Sequence, residues 1–362
     1  KEMRKYWITQ RVEENTTLRK KYKNDPEGFR RAERKLEADT GKQLWPANEM
    51  CIRHSEGLRS DHPVLAKLWY FWGNHFTISD TQTLGSYSTG AYQREFLRAN
   101  MDKNFETMVT EATLAWPMIM HLDNKDNVGP KSESGRSEWR KREKEPATIN
   151  ENHARELMEL HTISPDGGYT QQDVIELAKV MTGWRPKWTK GRDHGHDVKF
   201  DRERHEPGKK QVLGKVYKSG KKGINLVIKD LVNHPSCREF IATKLCRYLI
   251  TDEPTPQMID PVIKAWKKSD GFLPEVHKAA IKVAFEYNDK YRKFQNPENW
   301  WLTAINMSGS TYSYPTKEKT IDGLPLGIKP FGEISWQGWF LEDLGCHPYR
   351  QKQPNGFSDL EK

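Results

Sequence analysis

Two carboxylates stand three residues apart at Glu156 and Glu159, close enough on a helix to share a cation or a proton. Asn152 precedes Glu156 by one turn, Arg155 lies beside it, and His161 closes the segment. Neighbouring carboxylates have pKa values pushed apart, which suits an acid and a base flanking a glycosidic bond. The same pair, joined by His75 or His161 from outside, suits a divalent hard or transition metal. On an ideal helix His161 lies about 180° from Asn152, so it reaches that site only where the helix ends before it. An Asn/Arg/Glu stripe is also what any surface helix shows, or what a buried ion-pair network uses to fix helix packing.

The element that must carry these groups is Asn150 to Trp184, which reads as helix, turn, helix. At about 100° per residue, Ala154, Leu157, Met158 and Leu160 fall opposite Asn152, Arg155, Glu156 and Glu159. Thr170 stands in the N-cap place of the second helix with Asp173 three residues on, followed by Val174, Leu177, Ala178 and Met181 at helical spacing. Asp166, Gly167 and Gly168 supply the turn.

Around this pair the periodicity is again helical. Asp25-Pro26 and Gly41 bracket a charged helix. From Pro63, a stripe of Val64, Leu65, Leu68, Trp69 and Trp72 runs into Asn74-His75-Phe76, which sets His75 at a core helix's end. A neutral imidazole there is a structural group, a metal ligand or an acid/base. Arg94 and Glu95 sit together on a further helical stretch, and Phe105 to Ala112 forms an amphipathic helix broken near Pro117. Residues 129 to 146 read as a polar surface loop bordering the central helix. Residues 185 to 222 lose the helical period, and Val198/Phe200 with Val212/Leu213 are the candidates for short paired strands. His194 and His196 there form a metal-binding pattern without a third ligand at fixed spacing.

Helices return at Cys237 to Tyr248, Met258 to Trp266 and Leu273 to Phe285. Lys244 lies on the apolar stripe of the first, either snorkelling or serving as a fixed cation. From Ser308 onward, loops packed by Trp336, Trp339 and Phe340 are expected. The domain reading is a charged helical segment 1–60, a helical core 61–184, a basic excursion 185–222 and a helical part 223–362. The fold class is mainly α, a multi-helix globular domain with a small β-containing excursion around residues 190–216.

Composition bounds the function. Only 35% of residues are hydrophobic, yet thirteen each of Trp, Tyr and Phe supply enough burial for a folded core. The net charge of +9 favours anionic partners, while no basic helix or aromatic platform points to nucleic acid. No run of about twenty apolar residues is present to span a membrane. Cys51, Cys237, Cys246 and Cys346 show no zinc spacing and read as buried thiols. P-loop, HExxH, nucleophile-elbow and dinucleotide patterns are missing.

The segments Asn150-Glu151-Asn152 through Ala154-Arg155-Glu156-Leu157, Glu159 to Thr162, Gly167 to Gln171 with Asp173-Val174, and Thr182-Gly183-Trp184 resemble the bacterial family called domain of unknown function 1800. Further matching pieces follow in order: Trp72 with Asn74 to Phe76; Arg94-Glu95; Leu122 to Asn124; Gly129, Pro130 and Ser132. Then come His205, Pro207, Gly208, Lys210, Leu213 and Gly214; His234-Pro235; Lys244-Leu245; Pro297-Glu298; and Leu344-Gly345 with Pro354 and Gly356. The resemblance runs from about Pro63 to the C-terminus, and Cys346 stands where the family usually has Gln. It implies an exported, mostly helical protein without an assigned activity, and a removed signal accords with the first residue being Lys1.

The site expected is therefore a polar pocket around Glu156 and Glu159. His75 joins them in catalysis, and Asn152, Arg155, Arg94, Lys244 and His205 bind the substrate. The leading reading is a hydrolase or lyase acting on an anionic extracellular glycan. The alternatives are a metal protein using Glu156, Glu159 and His161 with a divalent cofactor, and a secreted scaffold that is no enzyme.

Overall fold

The computed structural model describes residues 13–39, 44–59, 61–79, 88–142, 148–188, 194–291, 293–309, 320–321, 324–325, 341–351 and 354–358. The segment holding Trp336, Trp339 and Phe340 lies outside them, as do the side chains of His194 and His196.

The fold is mainly α, and its centre is the helix that ends at His75. Helices α1 (Pro26–Asp39) and α2 (Leu44–Arg59) precede α3 (Pro63–His75). Asp25 caps α1 by accepting from the Gly28 N–H at 2.8 Å, and Pro26 follows at the first helical position. The expected stripe on α3 is corrected at its start, because Val64 and Leu65 are exposed. From Leu68 on, α3 is buried on every side: Leu68, Trp69, Tyr70, Phe71, Trp72, Gly73 and His75 all lie inside. A helix apolar all round is a core element rather than an amphipathic cover. Neighbours anchor its polar tips: Trp72 Nε1 donates to His277 Nε2 at 3.0 Å and Tyr248 Oη to the Lys67 carbonyl at 3.1 Å.

A short helix α4 (Thr89–Tyr92) runs into a π-helical turn over Gln93–Leu97, then α5 (Phe105–Thr113) and α6 (Trp116–His121). The stretch expected as a surface loop is instead helix α7 (Glu133–Arg142). Its start signal is Ser132, whose buried hydroxyl accepts from the Gly135 N–H at 3.0 Å. The polar run of Glu, Ser, Arg and Lys hides the helix because it has almost no apolar period to read, and Gly135 reads as a loop residue.

Helices α8 (Asn152–Glu159) and α9 (Gln171–Met181) form the expected pair. The Thr170/Asp173 capping box is complete. The β excursion follows as two hairpins, β1 (Trp184–Trp188) with β2 (His194–Phe200) and β3 (Lys210–Val212) with β4 (Lys215–Tyr217). Val198 and Phe200 therefore pair with Pro186 and Trp184, and Val212 pairs with Lys215. Leu213 is no strand residue: it and Gly214 take φ of 48° and 77°, the two positive values of a type I′ hairpin turn.

Helices α10 (Gly223–Val232), α11 (Pro235–Leu249), α12 (Pro256–Ser269), α13 (Leu273–Tyr287) and α14 (Pro297–Met307) complete the helical body, and β5 (Thr320–Ile321) pairs with β6 (Leu324–Pro325). One continuous apolar core runs from Leu68 to Leu302. All four cysteines are buried, and none forms a disulfide among the described residues. No helix among the described residues is long and apolar enough to cross a membrane.

Candidate functional site

Many of the sequence motifs prove to be pieces of a hydrogen-bonded frame. Asn74, at the end of α3, donates to the Phe357 carbonyl at 3.0 Å and accepts from its N–H at 2.9 Å. Gly356 has φ of 75°, and a Cβ there would collide with the Asn74 amide, which accounts for a glycine at that place. Asn124 donates to the Met181 and Trp184 carbonyls at 3.2 and 2.7 Å, tying the Leu122–Asn124 motif to Thr182-Gly183-Trp184. Asp173 accepts from the Leu213 N–H at 2.7 Å, joining α9 to the β3–β4 turn.

His205 belongs to this frame. Its Nδ1 lies 2.9 Å from the Thr182 carbonyl and its Nε2 accepts from the Gly220 N–H at 3.0 Å, which fixes the Nδ1–H tautomer. Burial pulls its pKa down to about 4, with the neighbouring Lys210 cation acting the same way against the bond to Thr182. Both ring nitrogens are committed to holding the excursion against α9.

Arg94 is likewise engaged away from α8. It forms a two-pronged ion pair with Glu49 of α2, with Nη2–Oε1 at 3.0 Å. Beside it lies an ion pair that the sequence did not disclose. Arg53 Nε and Nη2 donate to the two oxygens of Glu298 at 2.6 and 2.9 Å, and Nη1 donates to Gln93 Oε1 at 2.8 Å. Arg53 and Glu298 are each only 1% exposed. Burial alone would raise the Glu298 pKa, but the Arg53 charge and its hydrogen bonds outweigh it and hold the carboxyl at about 2. Pro297-Glu298 had a motif to mark it; Arg53 had no signal beyond its place on a charged helix.

On α8 the glutamates form the outer face. Glu156 and Glu159 are partly buried, Asn152 is exposed, and Glu159 accepts from Tyr169 Oη at 3.1 Å. Arg155 donates to Glu151 at 2.9 Å and Gln171 at 2.8 Å, so its guanidinium is occupied at the seam between α8 and α9. Glu156 has no side-chain hydrogen bond among the described residues. Burial, followed by the Glu159 charge and against Arg155, raises its pKa to about 7. Two described pockets, of about 910 and 470 Å³, lie elsewhere, and neither is lined by Glu156 or Glu159.

His161 leaves this face. The helix ends at Glu159, and the chain closes with His161 N–H to the Glu156 carbonyl at 3.0 Å and Ile163 N–H to that of Met158 at 2.9 Å. The turn drives His161 into the core, 1% exposed, where its ring centroid is 6.1 Å from that of His75. Glu156, Glu159 and His161 are thus not one ligand set: the glutamates face outward and the imidazole inward. No three His, Cys, Asp or Glu groups among the described residues are placed to hold a metal ion.

What the fold does bring together is His75, His161 and Lys244. Lys244 of α11 donates from Nζ to His75 Nδ1 at 3.0 Å, and His75 Nε2 lies 3.2 Å from the His161 carbonyl. His75 is therefore the Nε2–H tautomer. Burial, then Lys244 and His161, hold its pKa well below the usual value, against the bond to the His161 carbonyl. His121 and His153 extend the group. Burial and His121 bring His153 down to about 3, and burial brings His121 to about 4 against Asp123. Neither ring nitrogen of His153 or of His161 has a hydrogen-bond partner among the described residues. His153 is the one residue of the Asn150–Leu157 segment outside the family motif, so nothing in the sequence singled it out.

This arrangement can be set beside known proteins. Over residues 2–362 the chain matches the family described as "Protein of unknown function (DUF1800)". The chain belongs to that family. The match takes in the first sixty residues as well, where the sequence alone offered no recognisable motif. No curated protein and no solved structure matches the chain. Membership in DUF1800 brings no activity with it, and the functional reading rests on the residues themselves.

Proposed function

We propose that this DUF1800 protein is a hydrolase or lyase acting on an anionic glycan, with Glu156 as proton donor and Glu159 as its carboxylate partner. The observation that carries the reading is the Glu156 carboxyl: partly buried, without a side-chain hydrogen bond, beside a second carboxylate, and raised to about 7. A carboxyl in that state holds a proton near neutrality and can deliver it to a leaving oxygen. The net charge of +9 accords with an acidic polymer as substrate. Export of the protein belongs to the same reading.

The test is turnover of a panel of uronate-containing and sulfated polysaccharides by the parent, Glu156→Gln and Glu159→Gln. Glu156→Gln should abolish reducing-end release while leaving the melting temperature nearly unchanged. A second reading, a surface-assembly scaffold in which α8 only packs, is favoured by the absence of these glutamates from both described pockets. It would be supported by a large loss of melting temperature in Glu156→Gln together with no turnover by the parent.

A further inference from the structure

The 910 Å³ pocket is a cleft between the π-helical turn, α6 and the β1–β2 hairpin. Its volume is at the upper end of the roughly 300–1,000 Å³ of small-molecule sites, so it suits an oligomer better than a single ring. Each wall has its own character. Trp116, Trp184 and Phe200 supply apolar surface, and Lys187, Lys199 and Lys221 supply ammonium groups, with the Asp197 carboxylate on the same hairpin. Lys199 lies 3.6 Å from Asp201, whereas Lys187 and Lys221 make no ion pair with any described residue. Lys221 instead stands over the Trp184 ring at 5.9 Å. Lys187 sits where the β1–β2 register slips between Pro186 and Trp188, an irregularity of the kind that re-aims a side chain. The opposite wall holds Glu95, on a π-helical turn, a rare backbone form that recurs at functional sites.

The Trp184 indole Nε1 is buried without a hydrogen-bond acceptor, and the residue is 7% exposed. A buried N–H left unpaired is costly, so a ligand bringing an oxygen acceptor is favoured there. The ligand must therefore offer anionic groups to ammoniums, hydroxyl or ring oxygens to an indole N–H, and C–H surface to the aromatic wall. Nucleic acid fits less well. Base stacking needs exposed ring faces, and Trp116 and Trp184 are only 2% and 7% exposed.

We infer that this cleft binds an acidic oligosaccharide, uronate or sulfated, with Lys187, Lys199 and Lys221 holding its anionic groups against the Trp116–Trp184–Phe200 wall. The inference shares its substrate class with the proposed activity but none of its residues. Binding energy gathered along a chain remote from the reacting bond is what a polymer-acting enzyme uses to position that bond.

The experiment is isothermal titration of the full chain at 0.15 M NaCl with a galacturonic acid hexamer, a heparin hexasaccharide, maltohexaose and a thymidine hexanucleotide. The expected result is saturable binding of an acidic saccharide, at least tenfold tighter than maltohexaose and the oligonucleotide. Lys187→Gln/Lys221→Gln should weaken it tenfold or more with an unchanged melting temperature, since both lysines are exposed. Glu156→Gln should bind like the parent. Binding without cleavage by the parent would remove the proposed activity and leave the cleft standing. No saturable binding, equal binding of the oligonucleotide, or full affinity in the double variant would overturn the cleft assignment, even if cleavage occurs.

Discussion

Lowering the pH from 7.5 to 5.0 should destabilise this protein far more than its carboxylates can explain. His75, His153, His161, His205, His277 and His347 are all buried and all have pKa values held below the ordinary imidazole value of 6.5. Burial is the first cause in each. His153 and His347 fall to about 3, and His205 and His277 to about 4. A depressed histidine binds its proton in the unfolded chain before the folded one. Its contribution is intact above 6.5 and is lost as pH falls from there towards the folded pKa. At pH 5.0 each of the four groups held at about 3 or 4 costs about 2 kcal/mol, and the four together about 8 kcal/mol, comparable to the whole ~5–15 kcal/mol stability of a domain, with His75 and His161 acting in the same direction. Glu156 opposes this by about one imidazole's worth, because its raised pKa favours the folded state as pH falls from 7 towards 4.5. Glu298, held at about 2, begins to lose stability only below 4.5, outside the window. Urea unfolding followed by tryptophan fluorescence at constant ionic strength measures the slope directly. Uptake of at least about three protons on unfolding is expected near pH 5.5, falling by about one in His153→Phe. Uptake of one proton or fewer, or a denaturation midpoint unchanged from pH 7.5 to 5.0, would refute the neutral buried histidine cluster.

Three further outcomes test the frame. Arg53→Ala strands a buried carboxylate at Glu298 and should cost about 3–5 kcal/mol in urea unfolding, whereas a loss below ~1 kcal/mol would mean that water reaches the pair. Gly356→Ala meets both a positive φ and the Asn74 amide, and should cost about 1–3 kcal/mol, read as a lowered melting temperature. Thr170→Ala removes the N-cap of α9 and should cost about 1 kcal/mol. Asp173→Ala should cost more than Thr170→Ala, since Asp173 also holds the Leu213 N–H; equal losses would show that bond to be worthless.

Local chemistry in the sequence determined most of the elements. The capping box at Thr170, Pro26 behind Asp25, Pro235 behind His234 and the period of α11 to α13 each act through neighbours a few residues away, so they are legible without the fold. The mainly α class follows from them. Where the local signal is thin, reading failed: α7 has no apolar period, Val64 and Leu65 continue a stripe that the core does not cover, and the hairpin partners depend on a register no single strand encodes. The site divides the same way. The glutamates keep the outward face that a helical period gives them. His161 does not, because the turn after Glu159 carries it into the core, and only packing set it beside His75, Lys244, His153 and His121. The Arg53–Glu298 pair joins residues 245 apart, as Asn74 and Phe357 join residues 283 apart. Such contacts have no sequence period, since they arise only when separate helices are brought to one place by the burial of their apolar faces.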